Sequence, residues 1–328
     1  MVNKVPGFRA VYVLFLVAAA LIFTSCASVE DVPTEIQTGL MQLEENLGVE
    51  WRTADEIPGL REYGEYFGFG PFQLEARYMY GEFGRIFLVR QRPEGVQAKG
   101  IVVLVHGYMA HAGHMADMAG LFTTDGWTVI LPDLPGHGLS DGPRNDIDHF
   151  SHYGDVLNQL YSGADIPDNL PCILMGHSTG ASAIIETQRI LYREHRTMPD
   201  GVIFAAPLVD MKGFRFRSSA SAILGGRSIE IPPFVQNPTV LPRGVSKNPE
   251  FREFSTQGDP LLSSVYAPGW LEAYSRWIES WDEIPENMYG GPLLVLQGTG
   301  DSVVDWKSGI PKLRAPYGNR QFTRPCTT

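Results

Sequence analysis

Residues 172–181 read Cys172-Ile173-Leu174-Met175-Gly176-His177-Ser178-Thr179-Gly180-Ala181. Cys172 to Met175 is apolar without a polar break, the pattern of a short strand buried on both faces, and Ala181 to Tyr192 has helical length and periodicity. Between them stands Gly-x-Ser-x-Gly. A chain of this composition offers roughly 0.2 such matches by chance, so the motif alone says little. With a strand before it and a helix after it, the reading sharpens. Gly176 and Gly180 permit a tight strand-to-helix turn, His177 lies within it, and the Ser178 hydroxyl is pushed out above the sheet edge.

The same kind of strand recurs on either side of this stretch. Gly100-Ile101-Val102-Val103-Leu104-Val105, Trp127 to Leu131, Val202 to Ala206 and Leu293 to Leu296 are runs of this type, apolar throughout but for Thr128, with helix-length segments between most of them. Phe72 to Tyr80 alternates, and Gly84 to Val89 follows after a turn. This rhythm predicts an α/β fold: a mostly parallel central sheet with helices on both faces. Cys172 is expected to be a small buried thiol within its strand. From about Met211 to Trp281 the rhythm fails. That stretch is expected to be a cap, about residues 211–285, inserted between two core strands. Between Met211 and Arg252 seven basic residues (Lys212, Arg215, Arg217, Arg227, Arg243, Lys247, Arg252) face two acidic ones (Glu230, Glu250). A solvated face and a lid over anionic headgroups both fit that balance.

A serine that attacks an ester creates a tetrahedral oxyanion, which preset backbone N–H groups stabilise. The Thr179 amide, at a helix N-terminus, is one candidate donor. The turn His106-Gly107-Tyr108 after the Gly100–Val105 strand should supply the second from the Tyr108 amide, with Gly107 permitting the close approach. His106 itself is expected to be a structural turn residue.

The chain has 328 residues, 44% of them hydrophobic, enough for one large α/β domain with an insertion. A formal net charge of −11 argues against nucleic acid as a partner, because binding a polyanion needs a basic surface. Cys26, Cys172 and Cys326 are too few and too scattered for a disulfide framework or a zinc site, and neither metal nor organic cofactor is implied. At the N-terminus, Lys4 and Arg9 precede an apolar run from Val11 to Phe23 and then small residues, a targeting pattern. Leu21-Ile22-Phe23-Thr24-Ser25-Cys26 resembles a bacterial lipobox. That resemblance implies a signal segment at 1–25, lipid attachment at Cys26, and an envelope protein anchored in a membrane, with Ala27 favouring the outer one. Residues 26–75, including the amphipathic set Ile36, Leu40, Leu43 and Leu47, are expected to form a tether and packing arm before a catalytic domain at 76–328.

His106-Gly107-Tyr108, Pro132-Asp133-Leu134-Pro135-Gly136-His137-Gly138-Leu139-Ser140, Gly176 to Gly180, Ala206-Pro207-Leu208 and Leu296-Gln297-Gly298-Thr299-Gly300-Asp301 occur in this order. Together they resemble the monoacylglycerol lipase and lysophospholipase branch of the α/β-hydrolases, also called serine aminopeptidase S33-like, over about residues 75–325. The resemblance implies an α/β-hydrolase fold that cleaves carboxylic esters such as monoacylglycerols or lysophospholipids through an acyl-enzyme on Ser178. It also implies oxyanion donors at Tyr108 and Thr179 and an orienting acid at Asp301, with Asp305 as the competing acid. In this fold the catalytic histidine follows the acid along the chain. All eight histidines stand at or before His195, and Arg324-Pro325-Cys326-Thr327-Thr328 does not resemble the family. A truncated or frameshifted end and impaired activity are therefore the expectation, since a triad without its base keeps only the oxyanion hole and binding. Two alternatives remain: a lipid- or partner-binding lipoprotein without turnover, and an aminopeptidase of the same fold. Dehalogenase and epoxide hydrolase chemistry is disfavoured, because those relatives place an aspartate where this chain has Ser178.

Overall fold

The computed structural model describes residues 32–212, 248–263 and 267–318. The expected signal segment, Cys26, most of the basic stretch, and Arg320 to Thr328 lie outside the described residues. Eight described strands form one sheet: β1 (Arg52–Thr53), β2 (Gln73–Gly81), β3 (Gly84–Arg92), β4 (Ile101–Val105), β5 (Thr128–Pro132), β6 (Cys172–His177), β7 (Gly201–Ala205) and β8 (Leu293–Leu296). Their order is β1-β2-β3-β5-β4-β6-β7-β8. β2 pairs antiparallel with β1 and β3, β3 pairs antiparallel with β5, and from β5 across to β8 every pairing is parallel. The described α-helices are α1 (Thr34–Asn46), α2 (Pro58–Phe67), α3 (Ala116–Thr124), α4 (Ser151–Tyr161), α5 (Thr179–Arg193), α6 (Pro249–Glu253), α7 (Pro268–Glu279), α8 (Trp306–Lys312) and α9 (Arg314–Tyr317).

The continuous apolar runs have a direct cause in this arrangement. Successive strand residues point to opposite faces, and both faces are covered. Val102 and Leu104 of β4, with Val129 and Leu131 of β5, pack with Leu43 of α1, Leu60 of α2 and Ala119 of α3. Val103 and Val105, with Leu174 of β6 and Phe204 of β7, pack on the other side with Leu157 of α4, Ile184 of α5 and Trp270 of α7. The amphipathic set near the N-terminus is α1 and the residue that ends it: Ile36, Leu40, Leu43 and Leu47 are all buried. Each is worth about 1.5–3 kcal/mol of burial. Cys172 is buried in β6, and burial pushes its thiol up to about 12, so it is inert at neutral pH.

The chain between β7 and β8 returns to the sheet as α7, whose Trp277 indole N–H donates to the buried Glu186 carboxylate of α5 at 2.6 Å. Trp277 also stacks on Phe150, at 5.2 Å between ring centres. At its base Met211 bridges to Val304, and the Lys212 amide donates to the Val303 carbonyl at 3.0 Å. The β5-β4-β6 order makes β4 the point at which the strand order reverses. Such a switch point opens a crevice beyond the carboxyl ends of the strands, where α/β sheets bind ligands.

Candidate active site

Three turns meet at that crevice, one each after β4, β6 and β8. Ser178 occupies the corner between β6 and α5 with φ 51° and ψ −115°, a backbone conformation that costs a non-glycine residue of order 1–3 kcal/mol. The corner is locked from three sides. The Ser178 amide donates to the Ala205 carbonyl at 2.9 Å, and its carbonyl accepts from Ala181 at 3.0 Å and Leu208 at 3.2 Å. The flanking glycines are steric requirements. A Cβ on Gly176 would stand 2.4 Å from the Gly180 carbonyl carbon, and one on Gly180 would stand 2.4 Å from the Val105 carbonyl oxygen.

The turn after β4 backs directly onto this corner. A Cβ on Gly107 would lie 3.1 Å from the Ser178 Cβ and 3.0 Å from His177 Nδ1. Tyr108 follows, its hydroxyl donating to the Asn145 carbonyl at 2.9 Å and accepting from the Ala267 amide at 3.0 Å, its ring stacked on Trp270 at 3.9 Å. Thr179, fully buried, opens α5, so its amide is among the unpaired N–H groups at a helix start. The two expected oxyanion donors thus border the serine from the turns after β4 and β6.

His106 is structural, as its sequence context suggests. Its Nε2 accepts from the Leu134 amide at 2.9 Å, its Nδ1 lies 2.7 Å from the Gly107 carbonyl, and burial holds it well below the ordinary imidazole range. Burial also lowers His177, against the opposing pull of the Asp301 carboxylate. Asp301 lies in the turn after β8. Its Oδ1 accepts from the Val303 and Val304 amides at 2.8 and 2.9 Å, and its Oδ2 accepts from Gln297 Nε2 at 3.1 Å. The Lys212 ammonium donates to its main-chain carbonyl. Asp305 stands at the N-terminal boundary of α8, but its side chain makes no capping bond; its carbonyl takes the Ser308 and Gly309 amides instead. No histidine hydrogen-bonds to Ser178 or Asp301 among the described residues.

Two carboxylates were not distinguished by sequence reasoning. Asp210, buried after β7, accepts from Ser308 Oγ at 2.5 Å and pairs with Lys312 at 3.1 Å, so it is committed to holding α8. Asp133 lies within the Pro132–Ser140 motif and anchors the site from beneath. It is fully buried and accepts from the Ala112 amide at 2.6 Å and the Leu139 amide at 2.8 Å, joining the turns after β4 and β5. A further cluster, His111, His114 and Asp259, brings the inserted segment against the turn after β4. Its members are 145 or more residues apart in part, and no spacing signal links them.

Known proteins resemble this chain in sequence and in fold. The family model described as serine aminopeptidase, S33, matches residues 96–319. Phospholipase YtpA of Bacillus subtilis is 25% identical over 224 residues, covering 66% of this chain and 84% of that protein. A monoglyceride lipase homolog of monkeypox virus is 26% identical over 231 residues, covering 68% and 79%. Among solved structures, a soluble variant of monoglyceride lipase from Saccharomyces cerevisiae superposes with a TM-score of 0.58 at 16% identity, covering 76% of this chain and 85% of that one. Paleococcus ferrophilus monoacylglycerol lipase gives 0.52 at 22% identity, covering 74% and 87%. With its family model matched over residues 96–319 and its sheet superposing on those lipases, this chain belongs to the serine aminopeptidase S33 family and has the α/β-hydrolase fold.

Proposed function

We propose that this chain is built as a carboxylic ester hydrolase for lipid-like esters of the monoacylglycerol or lysophospholipid kind. Ser178 is the nucleophile, the Tyr108 and Thr179 amides are the oxyanion donors, and Asp301 is the acid that would orient an imidazole. The observation that carries this reading is the strained Ser178 corner with Gly107 pressed against it. Strain at φ 51° persists only where the surroundings enforce it, and it lifts the hydroxyl to within reach of a bound carbonyl. The names of the relatives, a phospholipase and monoglyceride lipases, support the substrate class.

No histidine is bonded to Ser178 or Asp301 among the described residues, and that arrangement by itself gives proton removal from the hydroxyl no imidazole to assist it. Slow hydrolysis is the expectation, at most about 10³–10⁴-fold over water. The same observation favours a second reading, a membrane-tethered protein that binds lipid esters without useful turnover. Anchoring through Cys26 in a bacterial outer membrane belongs to both readings and rests on the lipobox-like Leu21–Cys26. An aminopeptidase is less well supported, because the Lys212 ammonium beside Asp301 is unsuited to a substrate's free amine.

The test is to incubate residues 27–328 with a monoacylglycerol, a lysophospholipid and an aminoacyl arylamide. Slow fatty-acid release from the esters, exceeding any arylamide cleavage, is the expected result. Saturable ester binding with no release would establish the second reading, and arylamide cleavage with the esters untouched would overturn both.

A further inference from the structure

The loop that carries the Tyr108 amide continues into a 3-10 turn, Ala112–Met115, capped by His111. Two imidazoles of this loop converge on one buried carboxylate from the inserted segment. His111 Nε2 lies 3.0 Å and His114 Nε2 2.5 Å from the same oxygen, Oδ2 of Asp259. The other oxygen, Oδ1, accepts from the Leu261 amide at 2.9 Å. The Asp259 side chain has no exposed surface, and those of His111 and His114 are 1% and 7% exposed. The rings of Phe67 and His111 meet edge to face, as do those of Phe251 and His114.

Two histidines and an aspartate within reach of one another are also a possible cation site, and the geometry decides against it. Ligand atoms around a tetrahedral zinc at about 2.0–2.1 Å lie roughly 3.3 Å apart. Here the separations from the shared oxygen are those of hydrogen bonds. In addition, His111 Nδ1 accepts from the Gly113 amide at 3.1 Å. That bond leaves the proton on Nε2, which makes Nε2 a donor to Asp259 and unavailable to a metal. The carboxylate therefore receives three N–H donors, and no added cation is needed. Burial alone would raise its pKa, but the bonds from His111 and His114 outweigh burial and hold it well below the usual carboxylate range.

We propose that Asp259 is a positioning residue: through His111 and His114 it clamps the inserted segment onto the loop that presents the Tyr108 amide. The proposal rests on the ester-hydrolase reading for its catalytic consequence. A second tie engages the Tyr108 side chain: the Ala267 N–H donates to its hydroxyl, which donates to the carbonyl of Asn145, whose side-chain amide in turn donates to the Ser263 carbonyl at 2.6 Å. Asp259 thus holds the oxyanion loop at His111 and His114 and Ala267 holds it at the Tyr108 hydroxyl, while Asp133 accepts from its Ala112 amide. An oxyanion donor works because it is already in place when charge develops, and fixing the loop from two elements supplies that preorganisation.

The test compares the protein with Asp259→Ala and with the isosteric Asp259→Asn, which keeps one acceptor oxygen. Two measurements are made: amide hydrogen exchange over residues 107–115, and steady-state hydrolysis of an activated aryl ester. For Asp259→Ala, exchange over 107–115 is expected to quicken by about tenfold. Its kcat is expected to fall about tenfold with KM nearly unchanged, short of the ~100-fold cost of a full 1 Å misplacement. Asp259→Asn should fall between. Unchanged exchange at 107–115 would overturn the proposal, as would a KM increase at constant kcat. Stoichiometric Zn²⁺ uptake by the unmutated chain that Asp259→Ala abolishes would also overturn it, in favour of a metal site. Exchange is read without turnover, so failure of the hydrolase reading leaves the clamp test standing.

Discussion

Gly180→Ala should separate the steric account of the nucleophile corner from a merely local sequence preference. A Cβ at this position would lie 2.4 Å from the Val105 carbonyl oxygen, 2.6 Å from that of His106 and 2.9 Å from the Val105 carbonyl carbon. All three are main-chain atoms at the end of β4, so no side chain can rotate aside. Ordinary carbon–oxygen contact begins at about 3.2 Å, and relief of the shortest contact would require the start of α5 and the end of β4 to part by roughly 0.8 Å. Overpacking of this kind costs about 1–3 kcal/mol, and a backbone-on-backbone clash belongs at the upper end. About 3 kcal/mol in a domain of this size lowers Tm by roughly 6 °C. The assay is thermal unfolding followed by circular dichroism, with Gly48→Ala as control, since nothing lies within 4 Å of a Cβ there. The same displacement would widen the gap between the Thr179 and Tyr108 amides, so aryl-ester hydrolysis should fall further than stability alone explains. A Gly180→Ala protein within 1 °C of the control would refute the claim that contact between β4 and α5 sets this corner.

Three more expectations follow from buried polar groups. Asp133→Ala leaves the Ala112 and Leu139 amides without partners in a fully buried site, at about 1–3 kcal/mol each, and denaturant unfolding should show a loss of at least 2 kcal/mol. Trp277→Phe keeps the ring packing on Phe150 but strips Glu186 of its indole donor, so it should destabilise by about 1–2 kcal/mol and expose the α7 segment to proteolysis without changing the sheet. The third concerns pH. Burial pulls His137 down to about 4, despite the Pro135 carbonyl that favours its charged form, and burial lowers His106 and His177 in the same direction. The unfolded chain then binds more protons than the folded one, so stability is full above pH ~6.5 and declines as pH falls toward 4. The His137 share of that loss is about 3 kcal/mol, and a melting temperature flat from pH 7 to 4.5 would contradict it.

How far the sequence could be read depended on whether a signal was local. The strands β4 to β8 were legible because burial on both faces leaves them apolar but for Thr128 at the start of β5 and His177 at the end of β6, and Ser178 was legible because its two glycines are required within four positions of each other. Asp301 could be favoured over Asp305 from its place just after a strand. Its bonds to Val303, Val304 and Gln297 depend on the folded turn. The Asp259 clamp was not legible. His111 and His114 sit in a turn with no distinguishing sequence pattern, while Asp259 follows a π-helical turn, Phe254–Gly258, in a stretch with no periodicity to read. Asp210 was equally silent, since only the structure shows that Lys312 and Ser308 occupy it.

The central proposal is that Ser178 is a preset nucleophile to which, among the described residues, no histidine is hydrogen-bonded as a base. Incubating residues 27–328 with excess alkyl fluorophosphonate across a pH series, followed by intact-mass analysis and peptide mapping, tests both halves together. The account predicts a single adduct on Ser178, absent from Ser178→Ala, forming slowly and about tenfold faster per pH unit as hydroxide takes the proton. A folded chain that gains no adduct at Ser178, or one whose labelling rate levels off near pH 7 as an imidazole base would make it do, would contradict the account.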